Sequence, residues 1–439
     1  MNLSRSAGAA FVAFGALAAV AGTARAQSAQ SAPTPAPSAA PTAPGAVNAT
    51  NPAAPMPAPS ASPTASPSAP PHLFVLSGFG DVGYTAVAGT NVVRFINGAP
   101  SRIYDGVSGP FFDANTGRQL ATGNNFNTTF DLQQANVQLA INDGPLTGKF
   151  EGLLGTDADT AASNGQSRSG TNLYQAYLAF GRGPATFTVG KMASFAGNEV
   201  LEGPSNTNYS RSYAYGIGGP FTVTGARLQI APNSKIAVVA GVDNGWDDWK
   251  FVNKGAKTIE GAILLTPTPG YSLTLDTYNG SDFAVGATLN PATLPIFTNR
   301  VLYDGVLTVH PTGALSLIAQ YDRAYQLGDA TGAFTTARWN DFVGYVNYQL
   351  SPLYLLSLRQ ETFGDINGFR TGLAQRLQDS TATLSYSPGK YIFRAEYRVD
   401  SSTGNDFTYR NAPTDPITGF TAGRNHQPSL GFEAILKLQ

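Results

Sequence analysis

Apolar and polar residues alternate along most of the chain after residue 72, in short segments with a period of two. In 391–400 the odd positions are aromatic or aliphatic. The even positions from 394 onward carry Arg394, Glu396, Arg398 and Asp400. The segments 133–141 and 431–438 show the same alternation. A strand with one apolar and one charged face suits a wall between lipid and water, whereas a soluble core strand rarely buries so many charges.

The connections between these segments are of two kinds. Short connections with the Gly, Pro and Asn residues of β-turns lie at 142–145, 181–184, 231–234, 267–270, 311–313, 351–352 and 387–390. Long polar connections lie near 89–125, 156–171, 194–218, 244–256, 281–299, 327–338, 364–377 and 402–425. Their strict alternation predicts an all-β fold, a transmembrane antiparallel β-barrel of about 16 strands with short periplasmic turns and long extracellular loops. Counts of 14 and 18 strands stay open, because strand boundaries are approximate.

Composition supports a membrane barrel and excludes several classes of protein. Charged residues make up 13% of the chain, about half the roughly 25% of an ordinary soluble domain. The formal net charge is −1, which offers no basic surface for nucleic acid. Aromatic residues near strand ends, such as Tyr84, Tyr348, Tyr391 and Phe432, are typical of an interfacial girdle.

The N-terminal region is predicted to direct export. Arg5, the apolar run 9–21 and the Ala24-Arg25-Ala26 site indicate a signal peptide over residues 1–26. Residues 27–71 are rich in Pro and Ala and carry no charge. Such a segment is typical of a disordered, extended spacer, here a periplasmic tether. This segment is either a passive spacer or a tether that runs through the periplasm toward the cell wall. The barrel would occupy residues 72–439 and lie in the bacterial outer membrane.

Catalytic and cofactor sites find little support. The chain has no Cys, and its three His, at 72, 310 and 426, have no evident nucleophile partner. Gly78–Gly83 spells G-x-G-x-x-G, but a strand-like segment follows where a nucleotide site needs a helix. The acidic segment 243–248 lacks the distal Glu of a calcium loop. We therefore predict no enzyme activity, no cofactor and no metal.

The predicted inward positions carry charges of both signs. They include Lys149, Glu151, Arg227, Glu260, Asp276, Arg300, Asp304, Arg359, Glu361, Arg394, Glu396 and Arg398. A barrel of 16 strands is wide enough for an aqueous channel, and such side chains would hold water and set selectivity. We predict that they line a pore. A lumen plugged by salt bridges or by a loop is the alternative.

Residues 190–250 resemble a known family. The matching elements are Gly190-Lys191, Gly197-Asn-Glu199, Asn208-Tyr-Ser-Arg211-Ser, Gly225-Ala-Arg227 and Asn244-Gly-Trp-Asp247. Together they resemble the OmpL-like β-barrel porins of the porin-2 type, which implies an outer-membrane pore. By analogy with general porins, the third long loop would fold into the lumen and bring Glu199, Glu202 and Arg211 to a constriction. The chain departs from outer-membrane barrels that end in an aromatic residue, since it ends Lys437-Leu438-Gln439.

These features favour an outer-membrane porin, a water-filled channel for passive diffusion of small hydrophilic solutes. A channel selective for sugars or carboxylates is one alternative, and a non-conducting structural or surface-binding barrel tethered toward the cell wall is another. The expected partners are outer-membrane lipid, small solutes, the cell wall through the tether, and two further copies in a homotrimer, as in known sixteen-stranded porins. No nucleic acid is expected.

Overall fold

A computed structural model describes residues 73–87, 95–96, 99–100, 128–163, 166, 169–250, 256–283, 297–327, 336–371, 374–404, 407–408 and 423–438. The predicted signal peptide, the predicted tether and the loop 89–125 lie outside these residues, apart from two short pieces of that loop.

Sixteen strands, β1 to β16 in chain order, close into one antiparallel barrel. They span Phe74–Val87, Thr128–Asp143, Leu146–Leu154, Thr171–Arg182, Ala185–Ala193, Thr222–Asn233, Ile236–Asp243, Thr258–Thr268, Tyr271–Phe283, Phe297–Thr312, Leu315–Leu327, Thr336–Ser351, Tyr354–Asp365, Gln375–Tyr386, Tyr391–Ser402 and His426–Leu438. The predicted fold and strand number are confirmed. Each predicted tight turn joins two consecutive strands, so short and long connections lie at opposite ends of the barrel.

Several shorter elements lie between the strands. Two-residue strands pair as Phe95–Ile96 with Ala99–Pro100, and as Phe407–Thr408 with Gly423–Arg424. An α-helix covers Thr156–Thr160, a 3-10 helix Gly203–Ser205 and a π-helix Ala214–Gly218. In the described part of the chain, no helix is long and apolar enough to cross a membrane.

The barrel closes where β1 pairs with both β2 and β16. Phe79 lies opposite Lys437, and Tyr84 lies opposite Phe432. The glycine-rich segment 78–83 is part of β1, as its strand-like surroundings predicted. A Cβ at Gly78 would lie 2.2 Å from the carbonyl oxygen of Asn136 on β2. Close backbone approach therefore requires glycine at that position.

The two faces of the strands differ as the alternation predicted. On β15, Phe393 and Tyr397 are exposed outward, whereas Arg394 and Glu396 are buried inside the barrel. Aromatic rings meet on the outer surface near the loop end, where the Tyr84 and Phe130 centroids lie 4.6 Å apart. Such an apolar, aromatic exterior is typical of a lipid-facing wall.

Lys191 is an exception on β5. Along the strand it falls at the same alternate positions as Phe187 and Val189, which are exposed on the outer face, yet its side chain is buried. Its Nζ donates to the carbonyl oxygen of Leu173 at 2.8 Å and to Oε1 of Gln166 at 3.0 Å. These bonds satisfy the ammonium group on a face otherwise suited to lipid.

The loop end of the lumen contains a packed apolar cluster. Trp339 of β12 makes an edge contact with Trp246, at 6.2 Å between centroids, and stacks on Phe369 at 5.7 Å. Tyr213 and Tyr278 belong to the same buried cluster. Trp246 and Phe369 come from two loops, at 244–257 and 366–374. The described residues of these loops, 244–250 and 366–371, therefore turn inward and cover part of the lumen.

Candidate channel constriction

Residues 194–221, between β5 and β6, form what we call loop 3. Loop 3 crosses the interior of the barrel, because it contacts strands on several sides. The hydroxyl of Tyr209 lies 2.9 Å from Oγ1 of Thr85 on β1. Gln134 of β2 donates to the carbonyl oxygen of Leu201 at 2.6 Å. The amide of Asn198 donates to Gln320 of β11 at 3.0 Å.

Arg211 and Glu199 hold the two arms of loop 3 together. The fully buried Arg211 guanidinium donates to the carbonyl oxygens of Val200, Leu201 and Tyr209 at 3.1, 3.1 and 2.9 Å. Glu199 accepts from the backbone amide and the hydroxyl of Ser212, both at 2.7 Å. The Gly-x-Glu and Ser-Arg-Ser elements of the sequence thus shape the loop itself.

Two wall carboxylates each bind consecutive backbone amides of loop 3. Glu361 of β13 accepts from the amides of Tyr213 and Ala214 at 2.8 and 2.7 Å. Glu396 of β15 accepts from those of Tyr209 and Ser210 at 2.8 and 3.1 Å. Each carboxyl group therefore satisfies two neighbouring backbone amides of the buried loop.

Wall arginines bind the carbonyl oxygens of the same stretch. Arg359 donates to the Ser210 carbonyl at 2.7 Å, and Arg398 to the Arg211 carbonyl at 2.6 Å. Arg394 donates to the carbonyls of Gly203 and Asn206. Acidic side chains balance the three cations at Glu199, Asp379, Asp400 and Glu433. The charges of β13 to β15 are therefore buried under loop 3.

A row of carboxyl groups continues this wall. The aspartates Asp276, Asp304, Asp322 and Asp341 lie directly opposite one another across β9, β10, β11 and β12. All are buried. In the described chain no basic side chain is within ion-pair distance of any of them. A cavity of about 10 Å³ beside Asp322 has room for roughly one water molecule.

Two cations of the inner wall, Lys149 on β3 and Arg227 on β6, keep more contact with water. Lys149 of β3 pairs with Glu151 at 2.7 Å and with Glu202 of loop 3 at 3.3 Å. The Lys149 and Glu202 side chains are 22% and 15% exposed. Arg227 of β6 pairs with Glu260 at 2.8 Å and is 11% exposed. By contrast, the Arg359 side chain is 0% exposed.

The environment of Glu202 also changes its acidity. Burial and the nearby Glu151 raise the pKa of Glu202, Lys149 opposes both effects, and the result is a pKa of about 7. Glu202 thus changes charge close to neutral pH, where loop 3 forms an ion pair with a partly exposed cation of the wall.

The acidic segment 243–248 has a structural role. Asp247 accepts from the amides of Phe221 and Thr222 at 3.0 and 2.8 Å, and Asp243 accepts from that of Gly245 at 2.8 Å. These bonds hold the end of loop 3 against the next loop. Among the described residues, no group of three or more His, Asp or Glu is arranged to hold a metal ion.

The twelve predicted pore-lining residues all lie on the inner wall, but they form two groups, one in contact with water and one buried. Lys149 and Arg227 keep water contact. Arg300 pairs with Asp282 at 2.8 Å under the Trp246 ring. Most of the others are buried against loop 3 or against one another. The remaining predicted loop residue, Glu202, pairs with Lys149 of the wall. The alternation along the strands predicts which side chains point inward, but not which of them are covered. The contacts of the loop 3 backbone have no pattern in the sequence that predicts them.

A closed sixteen-stranded barrel with a polar interior and an inward third loop defines a porin of the outer membrane. Residues 106–438 match the family model described as "Putative beta-barrel porin-2, OmpL-like". The match spans more than half of the chain, so the protein belongs to this porin family, as the resemblance of residues 190–250 predicted. No curated protein matches the sequence.

Solved structures show the same fold. The outer membrane channel DcaP of Acinetobacter baumannii is 13% identical, with a TM-score of 0.52, over 83% of this chain and 97% of that one. OmpT of Vibrio cholerae, in its trimer form, is 10% identical, with a TM-score of 0.52, over 83% and 98%. At these identities the likeness concerns the barrel architecture.

Proposed function

We propose that this porin is a passive, non-enzymatic channel in the outer membrane and that its water-filled path runs along loop 3 on the side of Lys149 of β3 and Arg227 of β6. One observation carries the proposal. Polar side chains facing loop 3 from this side, Lys149 and Arg227, keep 22% and 11% exposure, whereas Arg359 on the opposite wall has none.

The chemistry of this lining suits small hydrophilic solutes. Lys149 and Glu202 present an ion pair to the path, and Arg227 adds a second cation that Glu260 balances. Paired charges hold water and polar solutes without strongly favouring one ion, and they exclude apolar molecules. Selectivity would follow the few charges that remain partly exposed.

The surroundings of the channel belong to the same proposal. The apolar exterior would contact outer-membrane lipid, and residues 1–26 would direct export. OmpT of Vibrio cholerae has been solved as a trimer, which supports a homotrimer here. The tether 27–71 would extend into the periplasm.

The test is single-channel conductance of the refolded chain 27–439 in a planar bilayer. We expect stable steps and a reversal potential that moves toward cations in Lys149→Glu. The matched control is Lys390→Glu, which reverses an exposed lysine in a turn and should have a much smaller effect. A folded, inserted but silent barrel would contradict the channel and favour the non-conducting alternative.

A further inference from the structure

The charges on β13 and β15 alternate in sign along each strand. On β13 the inward charges that face loop 3 are Arg359 and then Glu361. On β15 the inward charges are Arg394, Glu396, Arg398 and Asp400. A wall built to select ions would carry charges of predominantly one sign. Alternating signs therefore need another explanation.

The backbone of loop 3 supplies that explanation, because its polar groups alternate in the complementary order. The Tyr209 and Ser210 amides face Glu396, and the Ser210 and Arg211 carbonyls face Arg359 and Arg398. Each wall charge meets the backbone group of opposite polarity. All of these contacts are to main-chain atoms, so they fix where loop 3 lies.

We propose that Glu361 and Glu396, with Arg359 and Arg398, are positioning residues that seat loop 3 against β13 to β15 and thereby set the width of the channel. This inference rests on the proposed channel. The four residues do not touch the permeating solute. They act through loop 3, whose other side carries Glu202 toward Lys149.

The contacts are strong enough to decide where the loop lies. Each of the two carboxyl groups accepts hydrogen bonds from two backbone amides in a site from which water is excluded. A glutamine in the same place offers one acceptor oxygen and turns an NH₂ group toward the second amide. At Glu361, whose two oxygens each accept from one amide, one of the two backbone amides then loses its partner while still buried.

The principal test is the double variant Glu361→Gln, Glu396→Gln, with single-channel conductance and solute-size exclusion as readouts. Release of loop 3 should raise conductance about twofold or more and admit larger solutes, since the path widens. Should the double variant fail to fold, Glu396→Gln alone should give a smaller increase. A change in ion selectivity at unchanged conductance would mean that these residues line the path, and it would overturn the proposal.

A second readout does not depend on conduction. The chain contains no cysteine, so Ala214→Cys reports on a single site, buried beside the Glu361 contact. A water-soluble thiol reagent should label it slowly in the otherwise unchanged chain and at least about tenfold faster when the two glutamines are present. Ser205→Cys, at an exposed position of loop 3, should react at the same rate in both backgrounds.

A matched control separates loop seating from general loosening of the barrel. Glu151→Gln also removes a buried inner carboxylate, but the partners of Glu151 are wall side chains, Lys149, Asn136 and Gln175. It should leave the labelling of Ala214→Cys slow. Equal labelling in all backgrounds would overturn the positioning role. If the bilayers showed no conductance but the two glutamines still accelerated labelling, the proposed channel would be rejected and the positioning role would stand.

Discussion

At the scale of residues, three acidic side chains that the sequence predicts inside the barrel have different roles. Glu199 is bound within loop 3 and to Arg359. Glu202, three positions later, faces Lys149 and is partly exposed. Glu361 holds loop backbone. The sequence indicates that each is polar and inside, but burial and partners decide whether a carboxylate shapes the loop or faces the solute.

The titration of Glu202 predicts a pH-dependent selectivity. As the pH falls through about 7, Glu202 gains a proton and loses its negative charge, so that Lys149 is less compensated. The preference for anions should therefore rise on acidification and fall at higher pH. Reversal potentials in a KCl gradient across this pH range measure it. Glu202→Gln should remove most of the change, whereas Asp143→Asn, at an exposed turn, should keep it.

Two buried aspartates should respond differently to the same substitution. Asp379 pairs with Arg359 at 3.0 Å and with Arg398 at 3.4 Å. Asp379→Asn leaves buried cations less compensated and should lower the free energy of unfolding by about 3–5 kcal/mol. Neither carboxylate oxygen of Asp341 has a hydrogen-bond partner in the described structure, so Asp341→Asn should be neutral or stabilising.

Urea unfolding in lipid vesicles measures both variants. An equal loss of stability in the two proteins would show that burial alone, and not pairing with arginine, determines what each aspartate contributes.

At the scale of elements, each strand follows its sequence pattern except where the backbone is special. On β5, Gly190 has a φ of +135°, and a Cβ there would lie 2.2 Å from the carbonyl oxygen of Ala176. This conformation precedes Lys191, whose side chain bonds to Gln166 and the Leu173 carbonyl. Parity alone could not foresee such a contact.

Gly190→Ala should destabilise the barrel by about 1–3 kcal/mol or more, because alanine strains this backbone and meets β4. Unfolding in urea measures the loss. Gly152→Ala is the control, since a Cβ there meets nothing within 4 Å and its φ is not positive. Similar stability of the two variants would contradict the close approach of β4 and β5.

At the scale of the molecule, the barrel interior has an apolar core of its own. Trp246, Trp339 and Phe369 come from three separate parts of the chain and meet inside the lumen. The Arg300 and Arg370 guanidinium groups lie over the two tryptophan rings, at 4.9 and 5.3 Å. This cluster holds two loops inward, so that the open cross-section is smaller than sixteen strands allow.

Trp246→Ala should remove this support and destabilise the folded chain by about 3–5 kcal/mol. We expect faster proteolysis in the loops at 244–257 and 366–374. Phe342→Ala is the control, since that ring is 53% exposed on the outer wall and lipid replaces its contacts. Unchanged proteolysis in Trp246→Ala would show that the loops are held by other contacts.

The sequence by itself determined the barrel. Alternation, turn chemistry and two lengths of connection predicted the strand number, the seven turns and the direction of residues such as Arg394 and Glu396, because strand periodicity is a local property of the chain. The tertiary structure alone decided which inward charges meet loop 3 and which face water. Those contacts join residues more than a hundred positions apart, as Glu361 and Tyr213 do, and long-range pairing of this kind has no local signature in the sequence.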